Sequence, residues 1–266
     1  MAPGADLRPW ALVTGASSGI GAELARLIAA DGYHLVLVAR SADALAALGR
    51  ELEAAHGTRA HVLPLDLARR EAADGLVAEL DRLAIVPEIL VNDAGVGVFG
   101  PHATTPLAAE LALLDLNVVT LTALTKRLLP KFLARGSGRI LNVASTAAFT
   151  PGPYLAVYYA SKAYVLSYSE ALGYELEGSG ITVTALCPGP TATGFQARAG
   201  MRSPKIPGGL VRAADAASVA RAGYRGLKAG RPLVIPGLLN RLLVAALRLT
   251  PRALATAAVA ALSRRR

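Results

Sequence analysis

Short apolar runs rich in Val, Leu and Ile alternate with longer segments of helical period along nearly the whole chain, and this alternation limits the fold more than any other feature. Parallel strands buried on both faces need continuous apolar runs, and each crossover between them needs room for a helix, so the pattern predicts a mostly parallel sheet covered on both sides. Strands are expected at residues 10–14, 34–39, 60–64, 89–92, 139–144, 181–186 and 233–235. Helices are expected at 19–30, 42–56, 69–83, 107–135 (with a break), 156–177 and 213–228, followed by two more at 238–249 and 252–262. No linker, low-complexity tract or fixed-period repeat interrupts the 266 residues, so residues 1–236 form one α/β domain and 237–266 a helical tail.

Charge is placed unevenly. Residues 201–266 carry 13 Lys and Arg against one acid, Asp215, whereas residues 1–200 carry 15 basic and 18 acidic side chains. The basic excess of +9 is therefore a property of the C-terminal quarter. Few aromatics accompany it, which argues against nucleic acid and for an anionic surface or ligand. Cys187, the only cysteine, ends an apolar run and is expected to be a buried filler in a reducing compartment. Residues 1–9 lack the pattern of a secretory leader, and a cytoplasmic location is expected. The four histidines, His34, His56, His61 and His102, are scattered, and no metal site is expected.

Between the first strand and the first helix stands Thr14-Gly15-Ala16-Ser17-Ser18-Gly19-Ile20-Gly21. Backbone N–H groups at a helix start attract phosphate, and glycines let the main chain come close to it. The Gly15-x-x-x-Gly19-x-Gly21 spacing is not G-x-G-x-x-G, and it lacks the Lys-Ser/Thr ending that a nucleoside triphosphate loop needs. A dinucleotide pyrophosphate fits it, with a plain strand-to-helix turn as the alternative. The second strand ends in Val38-Ala39-Arg40-Ser41, where an acid would bind the ribose hydroxyls of NAD and an arginine would meet the 2′-phosphate of NADP. Arg40, helped by Ser17 or Ser41, points to NADP(H), against the alternative of a solvated arginine. Asp66, followed by Leu67, is placed to accept a hydrogen bond from adenine or else to cap a helix.

In Tyr158-Tyr159-Ala160-Ser161-Lys162 the phenol and the ammonium are four residues apart, on one face of a helix. A fixed positive charge favours tyrosinate, so the Tyr158 pKa is expected to fall from near ~10 toward working pH. Such a group exchanges protons with an alcohol or carbonyl oxygen.

With Asn92-Asp93-Ala94-Gly95, Asn117, Ser145 and Pro188-Gly189 in the same order, the chain resembles the short-chain dehydrogenase/reductase family over about residues 8–236. The run Pro188-Gly189-Pro190-Thr191-Ala192-Thr193-Gly194-Phe195 is similar to its carbonyl-reductase branch. The resemblance implies a single-domain, doubly wound Rossmann fold of class α/β, with a seven-stranded parallel sheet in the order 3-2-1-4-5-6-7. It also implies that Tyr158 protonates a carbonyl oxygen and that Ser145 donates a hydrogen bond to that oxygen. Lys162 would hold the nicotinamide ribose and depress the tyrosine pKa, and Asn117 would hold a water that links Lys162 to solvent. Cofactor-binding positions carried over are Gly15, Ser17, Ser18, Gly19, Ile20, Gly21, Arg40, Asp66, Leu67, Asn92, Ala94, Gly95, Pro188, Gly189, Thr191 and Thr193, with Tyr158 and Lys162. One residue departs from the pattern: the family more often has asparagine where this chain has Asp93, which accepts hydrogen bonds without donating and adds negative charge near the cleft.

The expected function is NADPH-dependent reduction of a ketone or aldehyde on a fairly apolar small molecule by a homodimer or homotetramer. A secondary-alcohol dehydrogenase and a catalytically idle nucleotide-binding or membrane-associated scaffold are the alternatives; intact Ser145, Tyr158 and Lys162 weigh against idleness. Residues 188–210 lack a clear period and are expected to form a flap, with Phe149, Tyr154, Phe195, Met201 and Ile206 around an apolar pocket. Arg241, Arg248 and Arg252 fall on one face of the tail, which is open to three readings: packing over the substrate entrance or a second subunit, peripheral contact with an anionic membrane, or a disordered basic end closing in Ser263-Arg264-Arg265-Arg266.

Overall fold

Strands β1 (Trp10–Thr14), β2 (His34–Ala39), β3 (Ala60–Pro64), β4 (Ile89–Asn92), β5 (Gly138–Val143) and β6 (Ile181–Leu186) lie in one parallel sheet of a computed structural model that describes residues 7–200 and 213–263. Two short strands, β7 (Thr191–Ala192) and β8 (Ala214–Asp215), pair with each other outside it. Strand β9 (Leu233–Val234) then returns beside β6, giving the order β3-β2-β1-β4-β5-β6-β9, so β9 takes the seventh place that the sequence predicts. The fold is a doubly wound Rossmann-like α/β sheet.

Helices α1 (Gly19–Ala30), α2 (Ala42–His56), α3 (Ala72–Arg82), α4 (Leu107–Leu114), α5 (Leu121–Arg135), α6 (Ala156–Glu175), α7 (Phe195–Arg198) and α8 (Ala216–Lys228) connect the strands. Each strand feeds two cores by simple alternation. In β1, Ala11 and Val13 join Leu24, Ile28, Leu45 and Leu227 on the α1–α2–α8 side, while Leu12 joins Leu76, Leu80, Leu128 and Phe132 on the α3–α5 side. Strand β2 divides Leu35 and Leu37 from Val36 and Val38 in the same way. Apolar residues are needed at both parities, which is why these strands read as unbroken apolar runs. Helix α8 approaches the sheet through glycines: a Cβ on Gly226 would stand 2.2 Å from Val234 Cγ2, and one on Gly223 2.7 Å from Leu186 Cδ2.

Several boundaries differ from expectation for local reasons. Helix α3 starts at Ala72 because residues 66–71 are spent in tight turns, with Arg69 N bonded to Asp66 O and Ala72 N to Arg69 O. Helix α8 starts after Asp215, whose carboxylate accepts the Ser218 N–H at 2.7 Å as an N-cap. The stretch 107–135 is broken by a π-helical turn, Asp115–Thr120, between α4 and α5. It is long and apolar enough to match a membrane span, yet Leu113, Leu124, Leu128 and Phe132 are fully buried in this protein's own core. Cys187 is buried as expected, and burial pushes its thiol up to about 12.

The flap expectation needs correction: residues 191–192 are a strand and 195–198 a short helix, while Met201 and Ile206 lie outside the described residues. The tail forms helices α9 (Leu238–Leu249) and α10 (Arg252–Ser263), separated at Thr250-Pro251, where the residue before proline is extended. Ser263 is buried rather than solvated, and Arg264 to Arg266 lie outside the described residues.

Candidate active site

Because all strands of the large sheet run parallel, the loops leaving their C-terminal ends gather along one edge, and the strand order reverses beside β1. A cleft of about 460 Å³ lies there, lined by the loop after each of β1 to β6. Gly15 and Gly19 turn the chain into α1 with φ of 72° and 61°. Ser18 occupies the N-cap position of α1 without a side-chain cap bond, and the first turn contains no acid, so the N–H groups ahead of Gly21, whose own N–H meets Asp93, are open to an anion in the cleft. A Cβ on Gly19 would meet Thr193 Cγ2 at 3.0 Å, which shows how closely the loop after β6 closes over this turn.

At one end of the cleft lie Arg40, Ser41, Asp66 and Leu67. Arg40 is exposed and has no acidic partner among the described residues, whereas Asp66 already accepts the Ala68 N–H at 3.2 Å. Ser17, Ile20, Ala94, Gly95, Pro188, Gly189 and Thr191 also line the cleft. Two expected cofactor residues do not. Gly21 sits behind the turn, where a Cβ would strike Gly15 O at 2.5 Å, and Asn92 is buried with its amide donating to Asn142 Oδ1 at 2.9 Å and Thr125 Oγ1 at 3.2 Å. Both hold the wall in place without facing the ligand.

The other end carries the reactive side chains. Ser145 follows β5 and caps the 3-10 turn Thr146–Phe149, accepting the Ala147 N–H at 3.1 Å. Its hydroxyl donates to Pro188 O at 3.4 Å and faces the Tyr158 side chain, which reaches the same end of the cleft from the first turn of α6 and whose pKa it lowers. Lys162 donates to Val143 O at 2.7 Å and stands with its Nζ 5.9 Å from the Tyr158 ring centre. Helix α6 thus brings the phenol and the ammonium to one face, beside the end of β5.

The expected fall of the Tyr158 pKa is not found. Burial of the phenol, inside the apolar cluster of Leu155, Tyr159 and Phe195, pushes it well above its ordinary value and outweighs the lowering by the Ser145 bond. Burial likewise brings Lys162 down to about 8, against the pull of Asp93. Desolvation is the largest influence on the phenol, so the tyrosine is held as an acid.

Asn117 lies in the π-helical turn and is almost fully buried. Its amide clamps Val96, accepting from Val96 N at 3.0 Å and donating to Val96 O at 3.0 Å, and it donates to Ser161 Oγ at 3.1 Å. The side chain thus ties the loop after β4 and α6 together close to Lys162, with Asn117 Oδ1 3.2 Å and Lys162 Nζ 3.5 Å from the place of a Gly95 Cβ.

Tyr159, Gln196 and Arg198, which sequence reasoning did not assign to the site, line the cleft together with Asp93 and the expected Phe195. The Asp93 carboxyl is enclosed against the glycine turn, with Oδ2 2.9 Å from the place of a Gly15 Cβ and 2.6 Å from that of a Gly21 Cβ. Desolvation raises it to about 7, partly offset by Lys162, by the Gly21 N–H and by Arg198. Arg198 and Gln196 enter the cleft from α7, and Phe195 packs on Tyr158 at 5.1 Å between ring centres. Tyr159 meets Tyr158 edge-on at 6.1 Å and fills the space that a Cβ on Gly152 would need, 2.2 Å from its ring. Phe149 and Tyr154 do not line the cleft; Phe149 faces Arg248 and Tyr154 faces Phe99.

A family model described as short chain dehydrogenase matches residues 9–202. The chain belongs to the short-chain dehydrogenase/reductase family. This short-chain dehydrogenase/reductase is 34% identical over 198 residues to "Ketoacyl reductase HetN" of Nostoc sp., covering 74% of the chain and 69% of that relative. It is 37% identical over 180 residues to a "Very-long-chain 3-oxoacyl-CoA reductase" of Phaeosphaeria nodorum, covering 65% of the chain and about half, 52%, of the relative's length. Among solved structures, a short-chain dehydrogenase from Sphingobium yanoikuyae in complex with NADPH superposes with a TM-score of 0.80 at 34% identity, over 86% of this chain and 88% of that one. Related structures contain NADPH in some cases and NADH in others. The protein is an oxidoreductase that uses a nicotinamide cofactor, and its cleft fits one: open N–H groups at the start of α1 for the pyrophosphate, Asp66 and Arg40 at one end, and Tyr158 with Lys162 at the other.

Proposed function

We propose that the protein is an NADPH-dependent reductase of a ketone or aldehyde carried on a fairly apolar small molecule. The observation that carries this reading is the convergence of Ser145, Tyr158 and Lys162 on one end of the cleft, with Lys162 Nζ 5.9 Å from the Tyr158 ring centre, opposite Arg40. When bound, the nicotinamide supplies the hydride that the carbonyl carbon receives. Tyr158, kept protonated by burial, gives its proton to the carbonyl oxygen, so hydride and proton together make the alcohol. Ser145 donates a hydrogen bond to that oxygen as negative charge gathers on it. Lys162, anchored on Val143 O, retains further ammonium donors for the ribose of the cofactor. Arg40, free of any acid among the described residues, is the group for a 2′-phosphate and favours NADPH over NADH.

Phe195, Tyr159 and Leu155 form an apolar wall next to Tyr158, in keeping with a substrate that carries hydrocarbon. The names of the relatives point to a 3-oxoacyl group as the first ketone to try. The outward-facing Leu111, Val119 and Tyr164 on α4, the π-helical turn and α6 are the surface on which a second copy would pack in a homodimer or homotetramer.

The test is turnover of NADPH by the purified protein against a panel of ketones, aldehydes and 3-oxoacyl thioesters. Tyr158→Phe should bind NADPH as the parent does and lose turnover of any active substrate by at least about a hundredfold. Full turnover in that variant would remove Tyr158 as the proton donor.

A further inference from the structure

The C-terminal helices present an apolar face that covers nothing among the described residues. In α9, Asn240, Val244 and Leu247 fall at i, i+4 and i+7 and turn toward the body of the protein, with Val244 only 3% exposed. Leu238, Leu239, Leu242, Leu243 and Leu249 point the other way and are exposed by 71%, 47%, 59%, 47% and 89%. On a helix these five fall within one sector opposite the packed face, with Arg241 and Arg248 along its border. Helix α10 repeats the arrangement: Ala255 is buried, whereas Leu254 and Leu262, separated by two turns with Ala258 and Ala261 on the same side, are exposed by 64% and 52%. Five leucines exposed on a single short helix make a continuous patch of the kind that marks an interaction surface.

Charge decides between occupants. No acid occurs after Asp215, and the leucine face is bordered by Arg241, Arg248 and Arg252, with Arg264, Arg265 and Arg266 following in the sequence. A second copy laid on this face would bring arginines to a surface holding no carboxylate to receive them. An anionic bilayer offers hydrocarbon for the leucines and phosphate for the arginines at the matching depth. At 12 residues each, α9 and α10 are too short to span about 30 Å of hydrocarbon, so they would lie in the interface plane.

We infer that α9 and α10 dock the protein on the surface of an anionic lipid bilayer, leucines inserted and arginines at the level of the headgroups. The place of α9 gives this docking a consequence. Asn240 sits against Gly189 in the cleft wall, where a Gly189 Cβ would lie 2.6 Å from its Oδ1, and the Arg248 guanidinium stands 5.9 Å from the ring centre of Phe149, next to the Ser145 turn. The helix that lies on the lipid therefore borders the reactive end of the cleft, and a lipophilic carbonyl compound can pass to it from the bilayer.

Co-sedimentation of the full chain with vesicles tests this independently of which carbonyl compound is reduced. Binding is expected to vesicles of phosphatidylcholine mixed with phosphatidylglycerol, at least tenfold weaker to phosphatidylcholine alone, and weaker as salt is added. The exposed triple substitution Leu239→Gln, Leu242→Gln and Leu243→Gln should keep NADPH binding and lose vesicle binding more than tenfold. In a second measurement, Leu242→Cys carrying an environment-sensitive fluorophore should shift its emission to the blue when anionic vesicles are added. Equal binding by the triple variant, or no emission shift, overturns the inference. So does light scattering that shows a lipid-free oligomer dissolved by the triple substitution, which would assign the face to a second copy of this chain.

Discussion

Asp93 shows how a single residue changes the physics of a shared site. The carboxyl is packed against the backbone of Gly15 and Gly21 at the edge of the cleft, and the solvation it loses there raises its pKa to about 7. The sequence revealed the departure at this position, but its consequence depends on the few ångströms between the loop after β4 and the glycine turn. Arg40 is the opposite case. Its place at the end of the second strand sufficed to suggest contact with a 2′-phosphate, and in the folded chain it is exposed at the cleft with no acidic partner among the described residues. Replacing Arg40 with Ala should weaken NADPH by about tenfold to a hundredfold, the worth of a charge-assisted hydrogen bond, and leave NADH nearly unchanged. Equal losses for both cofactors, measured by fluorescence titration, would contradict the assignment. For Tyr158 the pairing with Lys162 was legible from the four-residue spacing; the direction of the pKa was not, because burial is a property of neighbours distant in sequence.

At the scale of elements, the break in the long apolar stretch after Leu107 acquires a purpose. The π-helical turn carries Asn117 to Val96, tying the loop after β4 to the helical layer, while Ser161 joins the same network from α6. Asn117→Ala would leave the part-buried Val96 N–H and C=O without these partners, at a cost of about 0.5–1.5 kcal/mol for each hydrogen bond lost. We expect a lower urea midpoint together with weaker NADPH binding, because Gly95 and Val96 form part of the cleft floor. An unchanged midpoint would mean that the clamp is dispensable. The sequence marked an irregularity near this point, but the stretch is apolar around so much of its circumference that the shift of register by one residue is hard to see in it. Helix starts were misplaced where capping and turn chemistry stopped the helix before its apolar period did, as at Asp215.

Over the whole molecule, stability should carry the mark of the enclosed carboxyl. A folded-state pKa of about 7 against 3.8 means that the fold prefers protonated Asp93; this contribution is complete below about 3.8 and is lost as pH rises through about 7. Asp93→Asn removes that titration. Its stability relative to the parent should therefore climb by on the order of a few kcal/mol between about pH 4 and pH 7, as read by urea unfolding. A constant difference across that window would show the carboxyl to be well solvated.

The sequence by itself determined the sheet. Unbroken apolar runs meet the needs of strands buried on both sides, and crossover segments of helical period make neighbouring strands parallel, so β1 to β6 were found within a residue of their observed places. It also determined which loops would carry the chemistry, since parallel strands send their C-terminal ends to one edge. Tertiary structure alone decided the rest: that Gly21 and Asn92 support the cleft wall rather than line it, that burial raises the Tyr158 pKa despite the nearby Ser145 hydroxyl, and that the leucines of α9 face away from the core. Periodicity reports that a face is apolar, but only the packing of distant segments determines whether that face is covered and how much water reaches a charged group.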